Sequence, residues 1–186
     1  MSTQGQEGFV NHPHRRVASV LVPVFRDAET QIRAVFVIRG ASGVHGGQLA
    51  FPGGKKDLAD ETLLETAIRE SEEEIGLTRS QITVLAELDP HDTLTTGFTV
   101  HPFLARITES VDLKPRPGEI EGIVTPLVKA VCDPSVRREE PFWFPTWTEP
   151  VMIPCVPVEG GPLLWGLTLR LVDVIFPQLL AGRWPV

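Results

Sequence analysis

Three glutamates stand at helical intervals near the middle of this 186-residue chain. Glu70, Glu73 and Glu74 occupy i, i+3 and i+4, positions that share one helix face with Cβ atoms about 5–6 Å apart. Arg69 can pair with Glu65, four residues before it, and with Glu73, four after it, while no base at helical spacing serves Glu70 and Glu74. Like charges so placed cost about 0.2–0.5 kcal/mol on an exposed helix, and bound cations remove that cost. A tight, all-oxygen set of hard donors suits Mg²⁺ or Mn²⁺ rather than zinc. Upstream, Gly53-Gly54 permits a tight loop whose backbone can approach a ligand closely. Lys55 and Lys56 follow and are available to phosphate oxygens. Together these residues point to metal-assisted hydrolysis of a phosphate anhydride. In that chemistry the cation neutralises the anionic substrate and helps make hydroxide at neutral pH. Acids alone would repel phosphate, and the metal reconciles an acidic site with an acidic substrate.

A helix over Thr62–Gly76 must carry the glutamates. Thr62 and Glu65 fit a capping box, and Gly76 fits the left-handed position that ends a helix, with Leu77 making the contact after it. Leu64, Ala67, Ile68, Ser71 and Ile75 form one core-facing stripe. The expectation is that this stripe lies opposite Glu70 and Glu74, leaving those carboxylates toward a cleft or solvent. Strands are expected at Arg16–Phe25 and Gln31–Arg39, joined by a hairpin loop at Asp27–Thr30, and again at Gln81–Leu88 and Phe98–Ile107. A short strand is read at Ile123–Thr125, a helical turn at Leu127–Val131, and a hairpin from Glu140–Trp147 and Val151–Val158. A last helix over Gly166–Phe176 should end or kink at Pro177. No repeat, low-complexity tract or linker interrupts the chain, so one mixed α/β domain is expected over residues 1–186, with its core at about 17–180.

The net charge of −7 is concentrated. Eight acids and one base lie between Asp57 and Thr78, so this window accounts for all the excess negative charge. Nothing comparable gathers positive charge, which disfavours a nucleic-acid-binding surface. Leu163–Leu180 is apolar but contains Arg170, Asp173 and Pro177, and does not read as a bilayer span. Cys132 and Cys155 are too few for a disulfide scaffold or a cysteine zinc site and fit a reducing compartment, so a cytoplasmic protein is expected.

Gly54, Arg69, Glu70, Glu73, Glu74, Gly76 and Leu77 resemble the Nudix box, whose core is Arg-Glu, two residues, Glu-Glu, one residue and Gly. Its first half departs from the general pattern. Asp60 stands where a glutamate is usual, with Glu61 next, and the interval to Arg69 is one residue longer. In this it resembles the coenzyme A pyrophosphatase branch, whose Phe-Pro-Gly-Gly-basic-x-Asp-x-x-Asp start is similar to Phe51–Asp60. Thr66–Glu70, Thr96–Phe103 and Trp165–Thr168 resemble further segments of that branch. One element is missing. In the stretch beginning at Arg39-Gly40, Gly43 or Val44 stands where a second arginine is expected, although Gly47 is in place.

The resemblance implies a Nudix-type α/β/α sandwich with a mixed central sheet. It implies a hydrolase in which Glu70, Glu73 and Glu74 bind one to three Mg²⁺ or Mn²⁺ ions, and Arg69 orients a catalytic carboxylate. The implied substrate is coenzyme A or a derivative, cut to 3′,5′-ADP and 4′-phosphopantetheine, with Gly53, Gly54, Lys55 and Arg39 toward the substrate. Gly54 can also offer its carbonyl to a metal. The base is Glu73 or an outside carboxylate, Glu119 or Glu121, and spacing does not choose. Asp57 and Asp60 fix the loop or touch ligand. His45 and His101 are expected to satisfy local hydrogen bonds, Trp143, Trp147 and Trp165 to sit in the core, and Arg15, Arg16, Arg137 and Arg138 to be surface charge. Two other functions compete: hydrolysis of another nucleoside diphosphate compound, and a module that binds a nucleotide without cutting it. The partner in each case is a small nucleotide, with neither nucleic acid nor membrane. The oligomeric state, a homodimer included, is left open.

Overall fold

The computed structural model describes residues 15–41, 46–93, 96–108, 112–143 and 148–186. Gly43, Val44, His45 and Trp147 lie outside the described residues. In chain order the strands and helices are β1 (Arg16–Arg26), β2 (Ile32–Ala34), β3 (Phe36–Arg39), β4 (Leu49–Ala50), β5 (Gly53–Lys55), α1 (Leu63–Ile75), β6 (Ile82–Glu87), β7 (His91–Asp92) and β8 (Phe98–Ile107). There follow β9 (Ile120–Val124), α2 (Val128–Val131), β10 (Arg138–Phe142), β11 (Val151–Val156), β12 (Leu164–Trp165) and α3 (Gly166–Leu180).

The main sheet runs β2-β1-β8-β6, with β5 also on β1 and β7 also on β8. β1 and β8 are parallel, and the other pairs in this sheet are antiparallel. A second sheet is β4-β3-β9, and a third is β10-β11-β12. Alternation along the strands feeds two cores, as period-two side-chain geometry requires. Leu21, Val37, Phe103 and Ala105 join Ala67 and Ile75 of α1 in one core. Val22, Phe36 and Leu104 join Leu171, Val172 and Phe176 of α3 in the other. Helices therefore cover opposite faces of a mixed sheet, the α/β/α sandwich expected.

Several local expectations need correction. Gln31–Arg39 is two strands, β2 and β3, which belong to different sheets. Alternation nevertheless continues across Val35: Ala34 and Phe36 face one core, Val35 and Val37 the other. Gly53-Gly54 is not a loop but the start of β5, paired with Val20 and Ser19 of β1. α3 does not stop at Pro177 but continues to Leu180. Pro177 is exposed, while Ile175, Phe176 and Leu179 around it are buried. Their burial outweighs the roughly 3 kcal/mol that an interior proline costs a helix. Trp143 is 69% exposed rather than in the core. Trp165 is half-buried and meets Phe142 with ring centroids 4.5 Å apart.

α1 has the caps expected of it. The Thr62 hydroxyl accepts from Glu65 N at 3.1 Å, and Glu65 Oε2 accepts from Thr62 N at the same distance. Gly76 takes φ +72° and donates to Glu72 O. Among the described residues no helix is long and apolar enough to cross a membrane.

Candidate active site

β5 lies along α1, and its glycines set the contact. A Cβ on Gly54 would fall 2.4 Å from Glu70 Cδ, so the Glu70 carboxylate occupies the space a side chain would fill. Gly53 N–H donates to Glu74 Oε2 at 3.0 Å. Gly53 itself has φ +152°, and a Cβ there would lie 2.3 Å from Ser19 O. Only glycine permits this close approach of two backbones.

Glu74 is 2% exposed, contrary to the expectation that it faces a cleft or solvent. At 100° per residue Glu74 lies only about 20° around the helix from Ala67, on the flank of the apolar stripe. It is Glu73 that lies opposite the stripe, with 43% of its side chain exposed. Burial raises the Glu74 carboxyl to about 7. The Gly53 N–H and the Arg39 charge oppose that rise, while Glu70 and Glu119 reinforce it. Burial also raises Glu70, against the pull of Arg69, with Glu73 and Glu119 adding repulsion.

Arg69 is the hub. Its Nε and Nη2 form a fork on Asp60, at 2.9 Å to Oδ1 and 3.0 Å to Oδ2. Nη1 also reaches Glu70 at 3.0 Å and Glu73 at 3.3 Å, and Nη2 donates to Lys55 O. Asp60 further accepts from Thr66 Oγ1 and Asp57 N, each at 2.9 Å. The Arg69 guanidinium, with these donors, holds the Asp60 carboxyl well below the usual carboxylate range. Two sequence expectations change here. Glu65 is absent from the hub because its carboxylate caps α1, accepting from Glu61 N and Thr62 N. Glu70 does have a cationic partner, its own neighbour Arg69. Asp60, nine residues upstream, turns Arg69 along the helix toward β5, which no helical spacing rule anticipates.

A third segment closes the site. Lys114 N donates to Ile75 O at 3.0 Å and Arg116 N to Glu74 O at 2.9 Å, satisfying carbonyls that a helix end leaves open. The strap delivers Arg116 and Glu119. Arg116 Nη1 lies 3.3 Å from Glu73 Oε2 and 3.2 Å from Glu119 Oε2. Glu119 thus joins the cluster, whereas Glu121 does not, because its Oε1 accepts from Ala41 N at 2.8 Å. Arg116 was missed in the sequence. Its signal is faint: a basic residue between two prolines, Pro115 and Pro117, just before Glu119.

The remaining candidates divide. Arg39 is close enough for its charge to act on Glu74. Lys55 points elsewhere, with Nζ 5.8 Å from the centre of the Phe98 ring, on which Arg16 also sits at 4.1 Å. Strand alternation puts that side chain on the sheet face away from Glu70. His101 accepts through its carbonyl from Ser19 Oγ. Asp57 Oδ1 accepts from Ala59 N and so shapes the loop. Arg15 pairs with Asp92, Arg137 with Asp173 and Arg138 with Glu140.

Among the described residues no three acidic, histidine or cysteine side chains already stand in a metal-holding arrangement. Glu70, Glu73 and Glu119 instead hold arginines. The donor chemistry nevertheless fits a hard dication, since four carboxylates converge and two of them are disfavoured as anions by burial and mutual repulsion. A cation would relieve both.

A NUDIX domain model matches residues 14–142. An uncharacterized Nudix hydrolase, NudL, of Yersinia enterocolitica is 40% identical over 148 residues, which is 73% of this chain and 67% of that protein. The structure of a MutT/nudix family protein from Enterococcus faecalis superposes with a TM-score of 0.61 at 14% identity, over 95% of this chain and 66% of that one. The NUDIX domain of Shewanella oneidensis NrtR, solved with ADP ribose, gives a TM-score of 0.58 at 13% identity, over 95% and 94%. The two structures establish likeness of fold.

Proposed function

The chain belongs to the Nudix family of hydrolases, which act on phosphorus-containing anhydrides, and from that premise we propose that it hydrolyses the diphosphate of coenzyme A or a coenzyme A derivative to 3′,5′-ADP and 4′-phosphopantetheine. Nudix hydrolases generally use divalent metal ions, and Mg²⁺ or Mn²⁺ is the proposed cofactor. The observation that carries the reading is the convergence of Glu70, Glu73, Glu74 and Glu119 beside Gly53-Gly54. The coenzyme A assignment rests on the likeness of Phe51–Asp60, Thr96–Phe103 and Trp165–Thr168 to that branch.

Glu70, Glu73 and Glu74 would hold the metal, with Glu119 as a fourth carboxylate. When bound, the metal would neutralise diphosphate oxygens and stabilise the leaving oxygen. Glu73, the most exposed of the helix trio, takes the proton from the attacking water. Arg69 keeps the carboxylates in register through its fork on Asp60. Gly54 leaves room for Glu70, and Gly53 N–H orients Glu74.

Incubation with coenzyme A and Mg²⁺ or Mn²⁺ should release both products by chromatography. Glu73→Gln and Glu74→Gln should each lose activity by roughly a hundredfold or more. A fully active variant of either kind would reject the metal role. The second reading, hydrolysis of another nucleoside diphosphate such as ADP ribose, is favoured by Gly43 or Val44 standing where the branch has an arginine. Rapid turnover of ADP ribose beside inert coenzyme A would select it. Ligand binding with no product under either metal would select a non-catalytic module.

A further inference from the structure

Arg69 and Arg116 hold the same carboxylate cluster in different ways. Arg69 spends two nitrogens on the two oxygens of Asp60, a carboxylate that is 8% exposed. Such a fork is geometrically specific and resists exchange. Arg116 uses one nitrogen, Nη1, for both Glu73 and Glu119, at 3.3 and 3.2 Å, and half of its side chain is exposed. Contacts of that kind are weak individually and readily broken. Its backbone, by contrast, is fixed. Arg116 N donates to Glu74 O, and Arg116 O accepts from Glu119 N and Ile120 N. Proline on each side restricts the chain further. A rigid base thus carries a side chain that is free to change partners, on the exposed rim of the glutamates.

We propose that Arg116 is a substrate-positioning residue that exchanges partners. Before a dication binds, it neutralises Glu73 and Glu119; displaced from them, it pairs with the diphosphate of the substrate. This inference rests on the hydrolase reading above. Its physical basis is charge balance. Glu70, Glu73, Glu74 and Glu119 are mutually repulsive, and Arg69 serves only the first two directly. Arg116 supplies the remaining positive charge to Glu73 and Glu119 until a dication takes it over. The freed guanidinium then stands beside a site that has just become attractive to phosphate, and its planar donors match phosphate oxygens.

The test compares the full-length protein with Arg116→Met and Arg116→Lys. Mn²⁺ binding is measured without substrate, from the free-ion electron paramagnetic resonance signal. Arg116→Met should bind Mn²⁺ roughly three- to tenfold more tightly, because a competing cation is gone. In steady-state assays with coenzyme A, and with ADP ribose alongside, KM should rise about tenfold while kcat changes by less than about threefold. Arg116→Lys should restore the wild-type Mn²⁺ affinity and recover part of the KM. Unchanged or weaker Mn²⁺ binding by Arg116→Met overturns the exchange, as does an unchanged KM. A wild-type protein that binds no Mn²⁺ fails the hydrolase reading itself, which is a different result from a variant that matches a metal-binding wild type.

Discussion

Glu74 is a buried ionisable group. It is 2% exposed, it accepts a hydrogen bond from Gly53 N–H, and its carboxyl is pushed up to about 7 by burial. The folded, metal-free protein therefore binds this proton more tightly than the unfolded chain does. The resulting stabilisation is complete below about pH 4 and is lost as the pH rises through about 7. Its size is on the order of 3 kcal/mol. Asp60 has the opposite sign: its carboxyl is held low, so its contribution is present above about pH 4 and is lost in stronger acid. Between pH 5.5 and 8 the melting temperature of metal-free protein should fall, and Glu74→Gln should flatten that fall. Equal slopes in the two proteins would remove Glu74 as the cause. Mn²⁺ affinity should drop from pH 8 to pH 6, because protons compete for the same oxygen atoms.

β5 is only three residues long, yet two of them have separate tasks. At Gly54 the atom that an added methyl would strike is the far end of the flexible Glu70 side chain. At Gly53 it is the Ser19 carbonyl, and φ is +152°. Gly54→Ala should therefore change stability by no more than about 1 kcal/mol. It should also displace the Glu70 carboxylate and cost roughly ten- to a hundredfold in activity. Gly53→Ala should cost about 3 kcal/mol or more, because β1 and β5 must separate. Denaturant melts paired with activity assays separate the two outcomes. If both variants unfold alike, Gly54 is structural and not a seat for Glu70.

Across the whole molecule, the core under α3 supports the site from behind. Phe36 and Phe51 stack at 4.7 Å, and Phe176 meets each ring at 6.3 Å. Phe51 lies two residues before Gly53, so this trio ties α3 to the strand that seats the glutamates. Thr168 Oγ1 adds a second tie, donating to Leu49 O at 3.1 Å. Phe176→Ala should lower stability by about 3–5 kcal/mol in a denaturant melt, although the residue is remote from the carboxylates. A loss below 1 kcal/mol would mean that the cavity collapses without consequence and that the two faces are independent.

Helical periodicity and end chemistry are local, and for that reason α1, its capping box, its Gly76 terminus and the glutamate spacing were legible in the linear chain. So were β8 to its exact limits and the pairing of two strands around residues 140 and 151, although β10 is Arg138–Phe142, begins two residues before the expected Glu140 and carries no β-branched residue. Long-range placement was not legible. Asp60 takes Arg69 from Glu65, β1 turns a glycine pair from loop into strand, and a strap some forty residues away brings Arg116 and Glu119 to the helix but leaves Glu121 on Ala41. The chain order specified which acids were available. Burial and charge depend on what lies across space, and so only folding decided which of them are enclosed, which hold arginines and which can trade those arginines for a metal.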